Sequence, residues 1–376
     1  MTTPGPRATA PGPRATGTAT VRTRPTIPAT ATGTTSPATL ASTTPTGILA
    51  RAGRAGLATG IGAGVAAAAW GVTETRLFAL RRRAILIGGT DQEGGQPERR
   101  CDDPRGYRPG RQIGPSMRVL HLSDLHLTAR QHRKIDWIAN LADHDPDLVV
   151  CTGDMIAQPE ALAPLLSALS PLARTPGVFV FGSNDYYYPK LKNPFRYFAR
   201  DTAPRAGELE ERPQLPWREM AAAFEQAGWL NLSNARGSLR IDGWNLDFVG
   251  VDDPHLGYDR FPEGRGDCAD ETGAARKATD VRIGVAHAPY ARVLDAMVDD
   301  GCSIVFAGHT HGGQVCLPGK GALVTNCDMP VELAAGLFEW PGPSEVIRYD
   351  GFAPTLPDRG RRAWVNISAG LGTSPL

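Results

Sequence analysis

The chain of 376 residues has six cysteines but no Cys-x-x-Cys pair. That absence argues against a zinc ribbon and against a dithiol redox site. Excess charge is also lacking, with a formal net charge of +1 at pH 7. Nothing global therefore points to nucleic acid or to a strongly charged partner. Residues 1–46 have no aromatic side chain and almost no large aliphatic one; Thr, Ala, Pro and Gly dominate. Such a segment cannot bury enough apolar surface to offset its ordering entropy, so it reads as a disordered low-complexity tail. Long apolar runs are scarce too. The uncharged stretch 55–72 is the one candidate membrane span, and it is rich in Ala and Gly. Three readings stay open for it: a membrane helix or signal anchor, an export signal, and a soluble Ala-rich helix. Arg81, Arg82 and Arg83 on its far side leave its orientation undecided. The chain thus divides into a tail (1–46), a candidate anchor or signal (47–75), a first strand with a variable loop (76–117) and a main domain (118–376). Membrane association through this single segment is the expected placement, with cytoplasmic or exported protein as the other cases.

What is present centres on Val119-Leu120-His121-Leu122-Ser123-Asp124-Leu125-His126. It predicts a buried strand that ends in a carboxylate and an imidazole. Ligand crevices of open α/β sheets lie just past such strand ends. Ile135, Ile138 and Ala142 then mark a helix that Asp145-Pro146 ends, and 147–151 is a second apolar strand ending in Thr152-Gly153-Asp154. A strand, a helix and a strand within about thirty residues make a parallel βαβ unit. Another helix (160–172) and strand (177–181) follow, ending in Gly182-Ser183-Asn184-Asp185. Beyond a helix at 216–227, the pair 237–241 and 244–251 flanks Asp242-Gly243, a hairpin signal. Later strands at 282–286 and 303–307 end in His287 and in Gly308-His309-Thr310-His311, and a last strand covers 363–368. The class is α/β. Cys316 and Cys327 flank a turn and could face each other across a hairpin, although a reduced core thiol is the commoner case. His121 reads as a satisfied core residue, and Tyr186 to Tyr188 as loop packing. Asp252 and Asp253 are either polar hairpin ends or pocket-lining residues.

In this order, Asp-x-His, Gly-Asp, an Asn at the third strand end, a lone His and Gly-His-x-His resemble the calcineurin-like metallophosphoesterase superfamily, over about residues 118–372. Gly308-His309-Thr310-His311-Gly312-Gly313-Gln314, with Gly250-Val251-Asp252-Asp253-Pro254 before it, is most similar to the bacterial branch related to UDP-2,3-diacylglucosamine pyrophosphatases. The resemblance implies a four-layer αββα sandwich with two central mixed sheets. It also implies two divalent transition metal ions (Mn, Fe or Zn), about 3.5–4 Å apart. Asp124, His126 and His311 would hold the first, Asn184, His287 and His309 the second, and Asp154 both. The implied activity is hydrolysis of a phosphodiester, pyrophosphate or phosphomonoester of a small molecule or lipid head group. A catalytically impaired binding module of the same fold is the alternative.

One block departs from the family pattern, which is Gly-Asn-His followed by an acid. Here Ser183 and Asn184 stand in its place, so either Ser183 or Asn184 is the ligand, and the usual His is absent. An amide oxygen is the better donor, which favours Asn184. Asp185 or His255 could then supply the missing proton. Asp154, Asn184, Asp185 and His255 are thus the candidate catalytic side chains.

Overall fold

The computed structural model describes residues 77–85, 87, 116–189, 212–264, 281–313, 315–317, 321–341, 352–353 and 362–372, with Gly64 and Thr73. The tail expected over 1–46 lies outside these residues, as does the stretch 55–72 apart from Gly64. So does the variable loop over 88–115, with 190–211 and 265–280. Two units divide the chain, Met1–Ala66 and Ala67–Leu376. Every element below belongs to the second.

Two sheets carry the domain. The first runs β2 (Val119–Leu122), β3 (Leu148–Cys151), β4 (Gly177–Phe179), β5 (Leu230–Asn231) in spatial order. Its strands are all parallel. The second has the order β12 (Gly336–Trp340), β14 (Ala363–Ile367), β9 (Ile304–Ala307), β8 (Val281–Val285), β7 (Trp244–Gly250), β6 (Arg236–Ile241). Its four central strands are parallel and its two edges antiparallel. The expectation of two mixed sheets is therefore met by the second alone. In the first, α1 (His132–Ala139), α2 (Leu162–Leu169) and α4 (Trp217–Gln226) lie in the successive crossovers, which return each strand in the same direction. A short α3 (Ser183–Tyr186) follows β4, and α5 (Ala291–Asp299) links β8 to β9.

The period-2 alternation of strand side chains builds the layers. On β3, Val149 and Cys151 join Ile138, Leu165 and Phe224 of the helices in one apolar cluster. Leu148 and Val150 face the other way and pack with Phe248, Ile283, Phe306 and Trp364 between the sheets. Val249, Val305 and Val365 cover the far side of the second sheet, against Val293, Leu294 and Met297 of α5. Helices, sheet, sheet and helix make the four layers expected.

The β6–β7 hairpin turns at Asp242 and Gly243, with φ of 47° and 91°. Positive φ at both turn residues is what makes Asp-Gly favourable there. One expectation needs correction. The strand expected over 78–87 pairs over two residues, β1 (Ala84–Ile85), against β13 (Phe352–Ala353). In the hairpin of β10 (Val315–Leu317) and β11 (Gly321–Val324), Cys316 sits opposite Ala322. Cys327 lies beyond β11, and both thiols are free.

Candidate metal centre

The chain leaves β2, β3 and β9 through sharp left-handed turns. Asp124, His126, Asp154, His309 and His311 have φ of 51°, 40°, 57°, 70° and 54°. A non-glycine residue in this region costs about 1–2 kcal/mol, and such strain gathers at functional sites. The turns aim all five side chains into one space.

Asp124, His126 and His311 form a first cluster. The His126 and His311 Nε2 atoms face each other at 3.1 Å, and His311 Nε2 lies 3.5 Å from Asp124 Oδ1. Asp124 Oδ2 is occupied, accepting from the His309 backbone N–H at 2.9 Å and from the Ser123 hydroxyl. Its Oδ1 is buried with no hydrogen-bond partner.

Asp154 stands between this cluster and a second. Its Oδ2 is 3.5 Å from His126 Nε2 and its Oδ1 is 3.5 Å from His287 Nε2. His287 donates from Nδ1 to the Thr152 carbonyl oxygen at 2.7 Å, so Nε2 is the nitrogen that a cation would use once its proton is displaced. His309 meets Asn326 with Nε2, 3.2 Å from both its carbonyl oxygen and its side-chain amide, and its Nδ1 lies 3.3 Å from His287 Nε2. Asn184 meets both oxygens of Asp154, through its backbone N–H at 2.8 Å and its side-chain amide at 2.6 Å. Ser183 Oγ is off to the side, 3.5 Å from that amide.

These residues fit a pair of cations in two respects. Donors bound at about 2.1 Å to one ion stand roughly 3.0–3.4 Å apart, close to the spacings between neighbouring nitrogens and oxygens here. The charge balance agrees. Asp124, Asp154, Asp185 and Asp253 are all buried, and among the described residues none pairs with Lys or Arg. Unpaired buried carboxylates are costly, and bound cations remove that cost. Burial holds His126 down at about 4, so its lone pair is available at neutral pH. Burial alone would lower His287 too, but Asp154, Asp253 and Asp124 outweigh it and raise it to about 9.

Asp185 takes a place that the sequence did not suggest. Its Oδ2 accepts from the backbone N–H groups of Asp154 at 2.7 Å and Gly182 at 2.9 Å, and its Oδ1 from that of Met155 at 2.7 Å. Burial and the Asp154 carboxylate push it up to about 7, against the pull of those donors. With both oxygens engaged, it clamps the turn after β3 to the turn after β4 and is not placed as a proton donor. His255 is buried, with its ring 4.6 Å from that of His309 and its Nδ1 3.2 Å from the Tyr290 hydroxyl. Asp253 holds the His255 backbone N–H at 2.8 Å through Oδ1, while its buried Oδ2 has no hydrogen-bond partner. Asp252 accepts from the Tyr186 hydroxyl at 2.7 and 2.9 Å, which fastens α3 to the end of β7. The Tyr187 and Tyr258 hydroxyls meet at 2.6 Å, so the tyrosines do pack the loops.

Glycine is required at two of the turns. A Cβ on Gly182 would meet the His287 ring at 2.6 Å, and one on Gly308 would overlap Asp124 and Ser123.

Residues 117–313, just over half of the chain, match the family model of the calcineurin-like phosphoesterases. The chain is 24% identical over 208 residues to the uncharacterized protein YpbG of Bacillus subtilis (strain 168), covering 54% of this chain and 63% of YpbG. It is similar to the 5'-nucleotidase precursor of Thermus thermophilus, at 13% identity and a TM-score of 0.33 over 68% of this chain and 49% of that one. The NAD nucleotidase of Haemophilus influenzae gives 12% identity and a TM-score of 0.34, over 68% of this chain and 45% of that one. The chain thus spans less than two thirds of each of these proteins. On its family match, it belongs to the calcineurin-like phosphoesterases.

Proposed function

We propose that the protein is a metal-dependent phosphoester hydrolase with a two-ion centre. The observation that carries this reading is the convergence of Asp124, Asp154 and four imidazoles on one buried space that holds no Lys or Arg among the described residues. Asp124, His126 and His311 would hold one ion, Asn184, His287 and His309 the other, and Asp154 would serve both with one oxygen each. Bound there, two divalent cations would offset the charge of the phosphate and make water a better nucleophile.

The side chains do the rest. The Thr152 carbonyl holds the His287 ring with Nε2 toward Asp154, and Asn326 holds the His309 ring through Nε2 with Nδ1 toward His287. Asp185 holds the two turns that carry Asp154 and Asn184 in register. Asn184 supports the ligand role better than Ser183. Its side-chain amide lies against the Asp154 carboxylate at 2.6 Å, whereas Ser183 Oγ lies off to the side, 3.5 Å from that amide. Mn, Fe and Zn all suit this carboxylate–imidazole set.

The substrate is proposed as a phosphodiester, pyrophosphate or phosphomonoester of a small molecule or lipid head group. Within the family, Gly308-His309-Thr310-His311-Gly312-Gly313-Gln314 supports the branch related to UDP-2,3-diacylglucosamine pyrophosphatases. With Asn184 in the block that normally carries His, and Asp185 engaged, His255 is the remaining candidate proton donor. With no imidazole in that block, good leaving groups should be favoured unless His255 supplies the proton. A panel of esters graded by leaving-group pKa tests this: aryl diesters such as bis-p-nitrophenyl phosphate should outpace alkyl esters by roughly 10²–10⁴-fold. A flat profile that stays flat in His255→Gln contradicts the assignment.

The stretch 55–72 is proposed as a tether. Among the described residues no helix is long and apolar enough to cross a membrane. Fractionation of full-length protein from its native host tests the tether, which fails if all the protein is recovered in the soluble fraction.

A further inference from the structure

The turn that carries Asp124 and His126 is held from outside at three consecutive carbonyls. Leu371 N–H donates to the Ser123 and Asp124 oxygens, both at 3.2 Å, and Gly372 N–H to the Asp124 oxygen at 2.7 Å. The third carbonyl, that of Leu125, lies between the two candidate ligands and accepts from Lys134 Nζ at 2.9 Å. Lys134 is on α1, outside the strand-end motifs, and its side chain is 3% exposed. Among the described residues no carboxylate pairs with it. Its ammonium lies over the Phe78 ring, 5.9 Å from the centroid.

We propose that Lys134 is a positioning residue for the metal-holding turn: its ammonium fixes the Leu125 carbonyl, and with it the left-handed backbone of Asp124 and His126. The inference rests on the two-ion reading above.

Two considerations make a merely structural lysine a poor account. Burying an ammonium without a carboxylate is unfavourable, and a Met or Leu would fill the same place beside Ile135 and Ile138. A positive charge next to a cation site also opposes ion binding. Both effects work against Lys at this position. What it contributes in return is a donor at the carbonyl between the two candidate ligands, which no backbone N–H reaches among the described residues. The neighbouring strap is built to leave room for that bond. A Cβ on Gly372 would overlap the Leu125 oxygen and stand 2.9 Å from Lys134 Nζ. A Cβ on Gly370, whose φ is 73°, would meet Asp124 Cβ at 2.7 Å. Lys134 and the Gly370–Gly372 strap thus close on the turn from two sides.

The electrostatic and positioning effects have opposite signs, so one titration separates them. Full-length protein freed of metal is titrated with Mn²⁺ by calorimetry, as wild type, Lys134→Met and Gly372→Ala. If Lys134 positions the turn, Lys134→Met should weaken one of the two ions by roughly 10–100-fold, as loss of outer support to a ligand does. The other ion should be little changed. Gly372→Ala should weaken the same ion, which keeps the inference testable if Lys134→Met folds poorly. Amide exchange across 123–127 should quicken in both metal-free variants. Equal or tighter binding of both ions in Lys134→Met, with unchanged exchange, overturns the inference while leaving the two-ion reading intact. A wild type that takes up no ion overturns that reading and this inference with it.

Discussion

Asp185→Asn is the most informative single change, because proton donation and loop clamping predict different results for it. The carboxylate accepts three backbone N–H bonds, at 2.7, 2.7 and 2.9 Å, and is fully buried. An Asn side chain keeps one oxygen. Turned toward Asp154 and Gly182, that oxygen serves both of their N–H groups, but the new NH₂ then faces the Met155 N–H. One buried donor is left without an acceptor, and the other two lose an ionised partner. Each unsatisfied buried donor costs about 1–3 kcal/mol, so the sum is about 2–4 kcal/mol. For a domain of this size that lowers Tm by roughly 4–16 °C. The turns bearing Asp154 and Asn184 should loosen together, so aryl and alkyl phosphoesters should slow by the same factor. Kinetics on esters of graded leaving-group pKa, run beside thermal unfolding, read both effects. Selective slowing of alkyl esters with an unchanged Tm would refute the clamp and make Asp185 the acid.

Asp154→Asn should cost both ions and at least about 10³-fold in turnover, since each oxygen faces one cluster; metal content measured beside rate checks it, and His311→Ala proving the more damaging change would count against a shared ligand. Gly308→Ala should fold but bind metal poorly, because the new Cβ overlaps Asp124 and Ser123; ion titration is the readout, and wild-type affinity would show that the turn can yield. Burial holds His121 at about 4, below its ordinary 6.5. The unfolded chain therefore binds its proton first, and its contribution to stability, complete above about pH 6.5, is lost as pH falls toward 4. Denaturant unfolding of metal-free protein from pH 7 to 4 should show a shallower slope in His121→Gln, and an unchanged slope would place the acid sensitivity elsewhere.

Much of this was legible because apolar strands stop abruptly at polar residues. The run to Leu122, then Asp124 and His126, needed only alternation and the abrupt end. The same logic found Asp154, Asn184, His287, His309 and His311, and the Asp242-Gly243 hairpin followed from turn chemistry. The roles of Asp185 and His255 were not legible in the same way. Asp185 lies beside Asn184 in sequence, but its bonds run to backbone groups of Asp154 and Met155, which no side-chain pattern encodes. Lys134 sits next to Ile135 on an amphipathic helix and reads as a solvated position. It is buried because the turn after β2 and the strap near Gly372 cover it, and the strap is remote in sequence. Asn326 was not legible either, because its partner His309 comes from another element. His121 was legible as a core residue, but not its partners. Strand parity turns it between the sheets, where Thr152 and Asn366 each meet it at 2.9 Å.

The buried carboxylate and imidazole cluster is proposed to bind two cations. Elemental analysis of full-length protein, purified without chelator and again after reconstitution with Mn²⁺, tests that claim directly. Two transition metal ions per chain, falling toward zero in Asp154→Asn, is the predicted result. Folded protein that carries no metal in either preparation would contradict it.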